Sequence, residues 1–275
     1  MGIRFGNNNP GSNLRIGSET VGGIAIGSEV AWKRVSTPNL YMVGLDSAQT
    51  RNSALFTLNT TTGLASRVGS LNQFGASENF PDGLTSHNGT LYMLGARNEA
   101  LYTLNTSNGR ATRIGINSGF GVGEVGPTGL ASHNGNLYMV GLANKALFTL
   151  NISTGVATRV GSVNNFGIRE NEPRGLTSHN GNLYMVGNNR DFLCTLNTSN
   201  GRASRVGRSN RFNVDEGDSS SLASHNGTLY MTGTRNGGRL YTLNTSNGRA
   251  TRVGSTDGFG VGEASPSGLA SHVPN

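Results

Sequence analysis

Cysteine and tryptophan each occur once in this 275-residue chain, as Cys194 and Trp32. A lone thiol cannot close an internal disulfide, so nothing cross-links the fold covalently and the redox compartment stays open. Charge is sparse as well: Asp, Glu, Lys and Arg together make up 13% of the residues. Amphipathic helices need a charged face, which argues against a helical protein. No apolar run reaches the roughly 18 residues of a membrane-spanning helix. The opening residues, 1–6, hold no apolar signal-peptide core; either that route does not apply or a leader lies outside this chain. Lysine is nearly missing too, with Lys33 and Lys145 the two copies, so the net charge of +7 is carried by arginine. Arginine presents a planar fork suited to carboxylate, sulfate or phosphate.

Catalytic signatures are also missing. There is no Gly-x-Ser-x-Gly elbow, phosphate-binding loop or dinucleotide fingerprint. No His-x-x-x-His spacing suggests a metal site. Cys194 stands where Tyr102, Phe148 and Tyr241 stand in other repeats, which reads as a buried apolar substitute. Trp32 reads as packing.

What is present is a repeat. All five histidines fall in one phrase: Ser86-His87, Ser132-His133, Ser178-His179, Ser224-His225 and Ser271-His272. The first four copies are 46 residues apart and the last is 47 further on. A period of that size marks a repeat architecture. Within one unit, residues 129–133 form a short strand and Asn134-Gly135 a two-residue hairpin turn. Residues 137–141, 146–151 and 157–161 supply three more strands. Four short antiparallel strands in about 46 residues describe one propeller blade. The Leu-Tyr-Met-Val strand is apolar on both faces, as expected where blades cover both sides.

The expected fold is therefore an all-β β-propeller of four-stranded antiparallel blades forming one domain over residues 1–275. Its blade count is read as six with one incomplete, or alternatively five. The outer-strand phrase Arg-(Val/Ile)-Gly occurs six times, beginning at Arg15 and ending at Arg252. The first strand also occurs six times if residues 30–32 are counted, whereas Leu-Tyr-Met occurs five times. The sixth blade would be stitched from residues 268–272 and the N-terminal residues before Ser18, with residues 3–6 as its third strand.

Three sets of side chains recur. The first is the axial ring His87, His133, His179, His225 and His272, able to bind a metal, an anion or a sugar hydroxyl, or to hold its own hairpin or a neighbouring blade. The second lies in the long inter-blade loops: Phe74/Glu78, Phe120/Glu124, Phe166/Glu170, Phe212/Glu216 and Phe259/Glu263. An aromatic face beside a carboxylate suits a sugar ring, while a packing reading has Phe wedged between blades. The third is the outer-strand arginines, backed by Arg110, Arg202 and Arg249, which would rim the disc and block edge-to-edge pairing. Asn59, Asn88, Asn105, Asn151, Asn197, Asn226 and Asn244 fit the N-glycosylation pattern, but the turns need Asn for their own geometry.

Residues 129–139 and 240–254 carry the phrases Gly-Leu-Ala-Ser-His-Asn-Gly-Asn-Leu-Tyr-Met and Leu-Tyr-Thr-Leu-Asn-Thr-Ser-Asn-Gly-Arg-Ala-Thr-Arg-Val-Gly. They resemble secreted β-propeller repeats over residues 30–272, and blade length is similar to that of the tachylectin-type lectins. That resemblance implies one sugar site per blade and an extracellular or cell-surface setting, and assigns no residues.

The expected function is a non-enzymatic, multivalent, lectin-like binding module with no cofactor or metal. Its partner would be a glycan or acidic polysaccharide. The alternative is a structural, self-assembling protein whose incomplete blade is completed by a strand from another copy of itself. Nucleic-acid readers interleave exposed aromatics with basic groups; here the aromatics sit inside strands, which argues against that partner.

Overall fold

The computed structural model describes residues 14–16, 19–21, 37–46, 52–70, 74, 80–115, 119–123, 126–162, 164–168, 172–187, 191–207, 212, 219–234, 238–255, 258–260 and 263–274. The chain divides into two compact units, Met1–Thr37 and Pro38–Asn275. In the first, Leu14–Ile16 pairs antiparallel with Glu19–Val21 as a two-stranded sheet.

The second unit is a propeller of five four-stranded antiparallel blades. Blade 2 runs Pro81–His87, Thr90–Gly95, Ala100–Leu104 and Ala111–Ile114, from the axis outward. Blades 3, 4 and 5 repeat this order, with inner strands Pro127–His133, Pro173–His179 and Ser219–His225. Blade 1 takes its inner strand from the far end of the chain: Glu263–His272 pairs with Asn39–Asp46, followed by Asn52–Leu58 and Ala65–Arg67. Leu269 lies opposite Met42 and His272 opposite Asn39, the register that Leu130 and His133 hold with Met139 and Asn136 in blade 3.

That pairing corrects the blade count. Residues 268–272 complete blade 1, and Arg15 pairs with Thr20 in the separate hairpin. Residues 3–6 and 30–32, including Trp32, lie outside the described residues. Among the described residues the five sheets are complete and none is half-built, so the strand-addition route to self-assembly gains no support from them.

Local chemistry explains each blade. Asn88, Asn134, Asn180 and Asn226 open their hairpins at φ of 46–48°, each followed by a glycine at φ of 74–77°. Both central residues of such a turn need positive φ, and Asn-Gly supplies it. At the third turn of each blade, Asn59, Asn105, Asn151, Asn197 and Asn244 accept backbone N–H groups two and three residues on, at 2.8–3.3 Å. These asparagines are turn formers, as the composition suggested.

The core consists of five apolar clusters, each shared by two successive blades. The cluster between blades 3 and 4 joins Tyr138, Val140 and Leu147 to Leu176, Met185 and Cys194, with Phe166 among them. Cys194 is buried, forms no disulfide and lies opposite Met185 in the apolar cluster between blades 3 and 4. Close approach between blades uses glycine. Gly161 has φ of +67°, and a Cβ there would lie 2.2 Å from the Asn200 carbonyl oxygen of the next blade.

Phe166 has no solvent exposure and fills the seam between two blades. Phe166→Ala is expected to cost about 3–5 kcal/mol, the usual penalty for emptying a buried aromatic site. Chemical denaturation of the two proteins measures it.

Candidate functional site

The histidines take their positions from the ends of the inner strands. Each ends an inner strand, and in blades 2 to 5 an Asn-Gly turn follows it directly. Its Nδ1 lies 2.8–2.9 Å from a serine hydroxyl of the next blade: His87 with Ser132, His133 with Ser178, His179 with Ser224, His225 with Ser271 and His272 with Ser86. The last pair closes the circle. In four blades the Asn amide that follows sits 3.1–3.2 Å from Nε2. Each ring also meets a tyrosine of its own blade edge-on, at centroid separations of 5.9–6.2 Å. All five imidazoles are buried. Serine can donate or accept, so it serves either tautomer. These imidazoles latch one blade to the next. Among the described residues no cluster of three or more His, Cys, Asp or Glu is placed to hold a metal ion.

The loop phenylalanines are likewise interior. Phe74, Phe120, Phe166, Phe212 and Phe259 are 0–7% exposed, one in each inter-blade cluster. The carbonyls of Phe74, Phe120, Phe212 and Phe259 accept the N–H of Ala111, Ala157, Ala250 and Ala65, tying each loop to the outer strand of the next blade. Rings so placed have no free face for a sugar, and the packing reading describes them. Glu78, Glu124, Glu170 and Glu216 lie outside the described residues, and Glu263 starts the closing strand opposite Asp46. Arg110, Arg202 and Arg249 are exposed in the third turns. Arg205 stacks on the Phe192 ring at 4.7 Å.

Open space occurs elsewhere. On the face bearing the His turns, a groove of about 530 Å³ runs between blades 3 and 4. Its walls are His133 and Asn134 on one side and Asn182, Thr195, Asn197 and Ser199 on the other. The matching groove between blades 1 and 2 measures about 370 Å³ and sets His272 against Thr90, Thr103, Asn105 and Ser107. These are the same structural positions two blades apart, and nearly all the polar groups in them are hydroxyls and amides. The groove was missed from sequence because its two walls belong to different repeats.

A second feature breaks the symmetry. A Pro-x-Gly phrase starts the inner strands of blades 2, 3 and 4 and lies at residues 266–268 within that of blade 1, while blade 5 has Ser219-Ser220-Ser221. The middle position is Asp82, Thr128, Arg174, Ser220 and Ser267 around the ring. The Thr128 hydroxyl donates to the Pro173 carbonyl of the next blade at 2.7 Å. Ser220 Oγ lies 2.9 Å from Thr232 Oγ1, and Ser221 Oγ also meets Thr232 Oγ1 in a short contact. Ser221 and Thr232 replace the Gly and the aliphatic residue of other blades, so the two departures answer one another. Burial pushes the Asp82 carboxyl well above the ordinary carboxylate value. Attraction to Arg174 and the hydrogen bond from Gly83 N–H at 3.0 Å only partly offset it.

No known sequence family matches the chain, and no curated protein matches it. Solved structures do resemble it. Against the nidogen of a nidogen/laminin complex the TM-score is 0.54 at 11% identity, over 85% of this chain and 98% of that one. Against virginiamycin B lyase from Staphylococcus aureus it is 0.44 at 14% identity, over 85% and 76%. Against Myxococcus xanthus glutaminyl cyclase it is 0.46 at 16% identity, over 70% and 71%. Likeness at these identities shows the propeller fold alone. It supports the propeller resemblance and not the narrower one to tachylectin-type lectins. It also corrects the expectation that this chain is no enzyme. Two of these propellers are, by name, a lyase and a cyclase. No activity follows for this chain at such identity.

Two titrations follow. Burial lowers the pKa of His179, His225 and His272 below the ordinary 6.5, so the unfolded chain binds more protons at these sites. Stability should therefore be full above pH 6.5 and decline as pH falls below it, read as a falling thermal midpoint. Asp82 has the opposite sign. Its raised pKa means stability is lost as pH climbs from the ordinary 3.8 through the folded value. Asp82→Asn should raise the melting temperature at pH 7 and leave it unchanged below pH 3.8.

Proposed function

We propose that this chain is a multivalent binding module for polyhydroxylated ligands, carbohydrate chains above all. Its sites are the inter-blade grooves on the His-turn face. The observation that carries this reading is the recurrence of one groove, with one set of polar groups, between blades 1 and 2 and between blades 3 and 4. Hydroxyls and amides both donate and accept, as a sugar edge demands. The residues that line the described grooves have counterparts in every blade. In blade 5 they are Thr228, Thr242, Asn244 and Ser246; in blade 3, Asn136, Thr149, Asn151 and Ser153.

Few apolar groups line these grooves, so each contact is expected to be weak. Several weak sites on one rigid body raise avidity by about 10²–10⁴ when the ligand presents matching repeats. The exposed arginines at the third turns would favour an acidic polysaccharide over a neutral one.

A glycan array on the intact chain tests this. The expected result is binding that grows with the density of the immobilised glycan. It should fall at least about tenfold when Thr57, Thr103, Thr149, Thr195 and Thr242 are changed together to Val, the melting temperature being little altered. An array without hits, or equal binding by that variant, would contradict it.

A further inference from the structure

The ring of five inner-strand starts carries two charges, Asp82 and Arg174, at equivalent positions two blades apart. Repetition predicts what the residue here does. In blade 3, Thr128 reaches across to the first residue of the next inner strand and donates to the Pro173 carbonyl. Rotated by one blade, the same reach would take Arg174 toward the start of the blade 5 inner strand, at Ser219. The two strand starts do touch: a Cβ on Gly175 would lie 2.4 Å from the backbone nitrogen of Leu222 and 2.6 Å from the Cα of Ser221.

Two polar atoms are left unsatisfied at this seam. Among the described residues, Arg174 Nε and Ser219 Oγ are both buried without a hydrogen-bond partner. Buried donors are nearly always paired, so two at neighbouring strand starts point to an absent acceptor. Blade 5 differs from the other four here, with Ser219 replacing the proline of every other blade. A serine adds a donor where proline has none, and an arginine adds a fork suited to a planar oxyanion.

We propose that the starts of the inner strands of blades 4 and 5 form a binding site for a small monocarboxylate. Arg174 grips the carboxylate and the Ser219 hydroxyl donates to it. Asp82 holds the same place at the start of the blade 2 inner strand, which comes close to the inner strand of blade 4 near the axis, so a second negative charge on the ligand would meet an acidic side chain. The site therefore prefers a singly charged carboxylate to phosphate. It is independent of the grooves on the His-turn face.

Calorimetric titration of the full chain with acetate, and separately with inorganic phosphate, tests this. The expected result is saturable binding of one acetate per chain, tighter than phosphate. Arg174→Gln should weaken it by about tenfold or more and Ser219→Ala by a few-fold. Arg249→Gln, on the exposed rim, should leave it unchanged. If Arg174→Gln fails to fold, Arg174→Lys keeps the charge without the fork and should still bind more weakly. No saturable acetate binding, equal affinity in the Arg174 variant, or a preference for phosphate would each overturn the proposal.

Discussion

The antiparallel pairing of Glu263–His272 with Asn39–Asp46 is the contact on which the rest of the propeller depends. It converts a row of blades into a ring. Without it blade 1 lacks its inner strand, His272 cannot meet Ser86, and the cluster between blades 5 and 1 loses Leu269. An open solenoid adds stability repeat by repeat. A ring has no terminal repeat to cap, and each seam is covered by its neighbours on both sides. Every seam holds the same parts here: one loop phenylalanine in an apolar cluster, one His–Ser latch near the axis, and one glycine against the next blade's turn.

Much of this was legible from the 46-residue period. Strand order, the Asn-Gly hairpins, the two-sided burial of Leu-Tyr-Met and the apolar role of Cys194 follow from residue types at fixed offsets. Blade number did not. Local pattern says that residues 268–272 make an inner strand, but not which second strand they pair with, since Leu40, Leu91, Leu137, Leu183 and Leu229 all open the same phrase. Arg15-Ile16-Gly17 matches an outer strand equally well and forms a separate hairpin instead. Pairing across more than 200 residues is settled by closure, which no short window contains.

The candidate site shows the same limit. Within a repeat, a residue kept in every copy can be a seam part or a ligand contact, and sequence alone does not separate them. The loop phenylalanines and the histidines are seam parts by their burial and partners. Positions that vary carry different information. Asp82, Thr128, Arg174, Ser220 and Ser267 share one place in the fold and differ in chemistry, which packing alone does not require. Hydroxyl and amide groups kept at the open grooves speak for repeated attachment, while a charged, unequal ring of strand starts speaks for a single small ligand.

Ring closure is tested most directly by native-state hydrogen exchange of the amides in residues 263–272. If this strand is the inner strand of blade 1, its paired amides should exchange only through global unfolding. Their free energy should then match that of residues 127–133 and 173–179. Exchange of residues 263–272 through a separate, low-energy opening, while the other inner strands stay protected, would contradict a closed five-bladed ring.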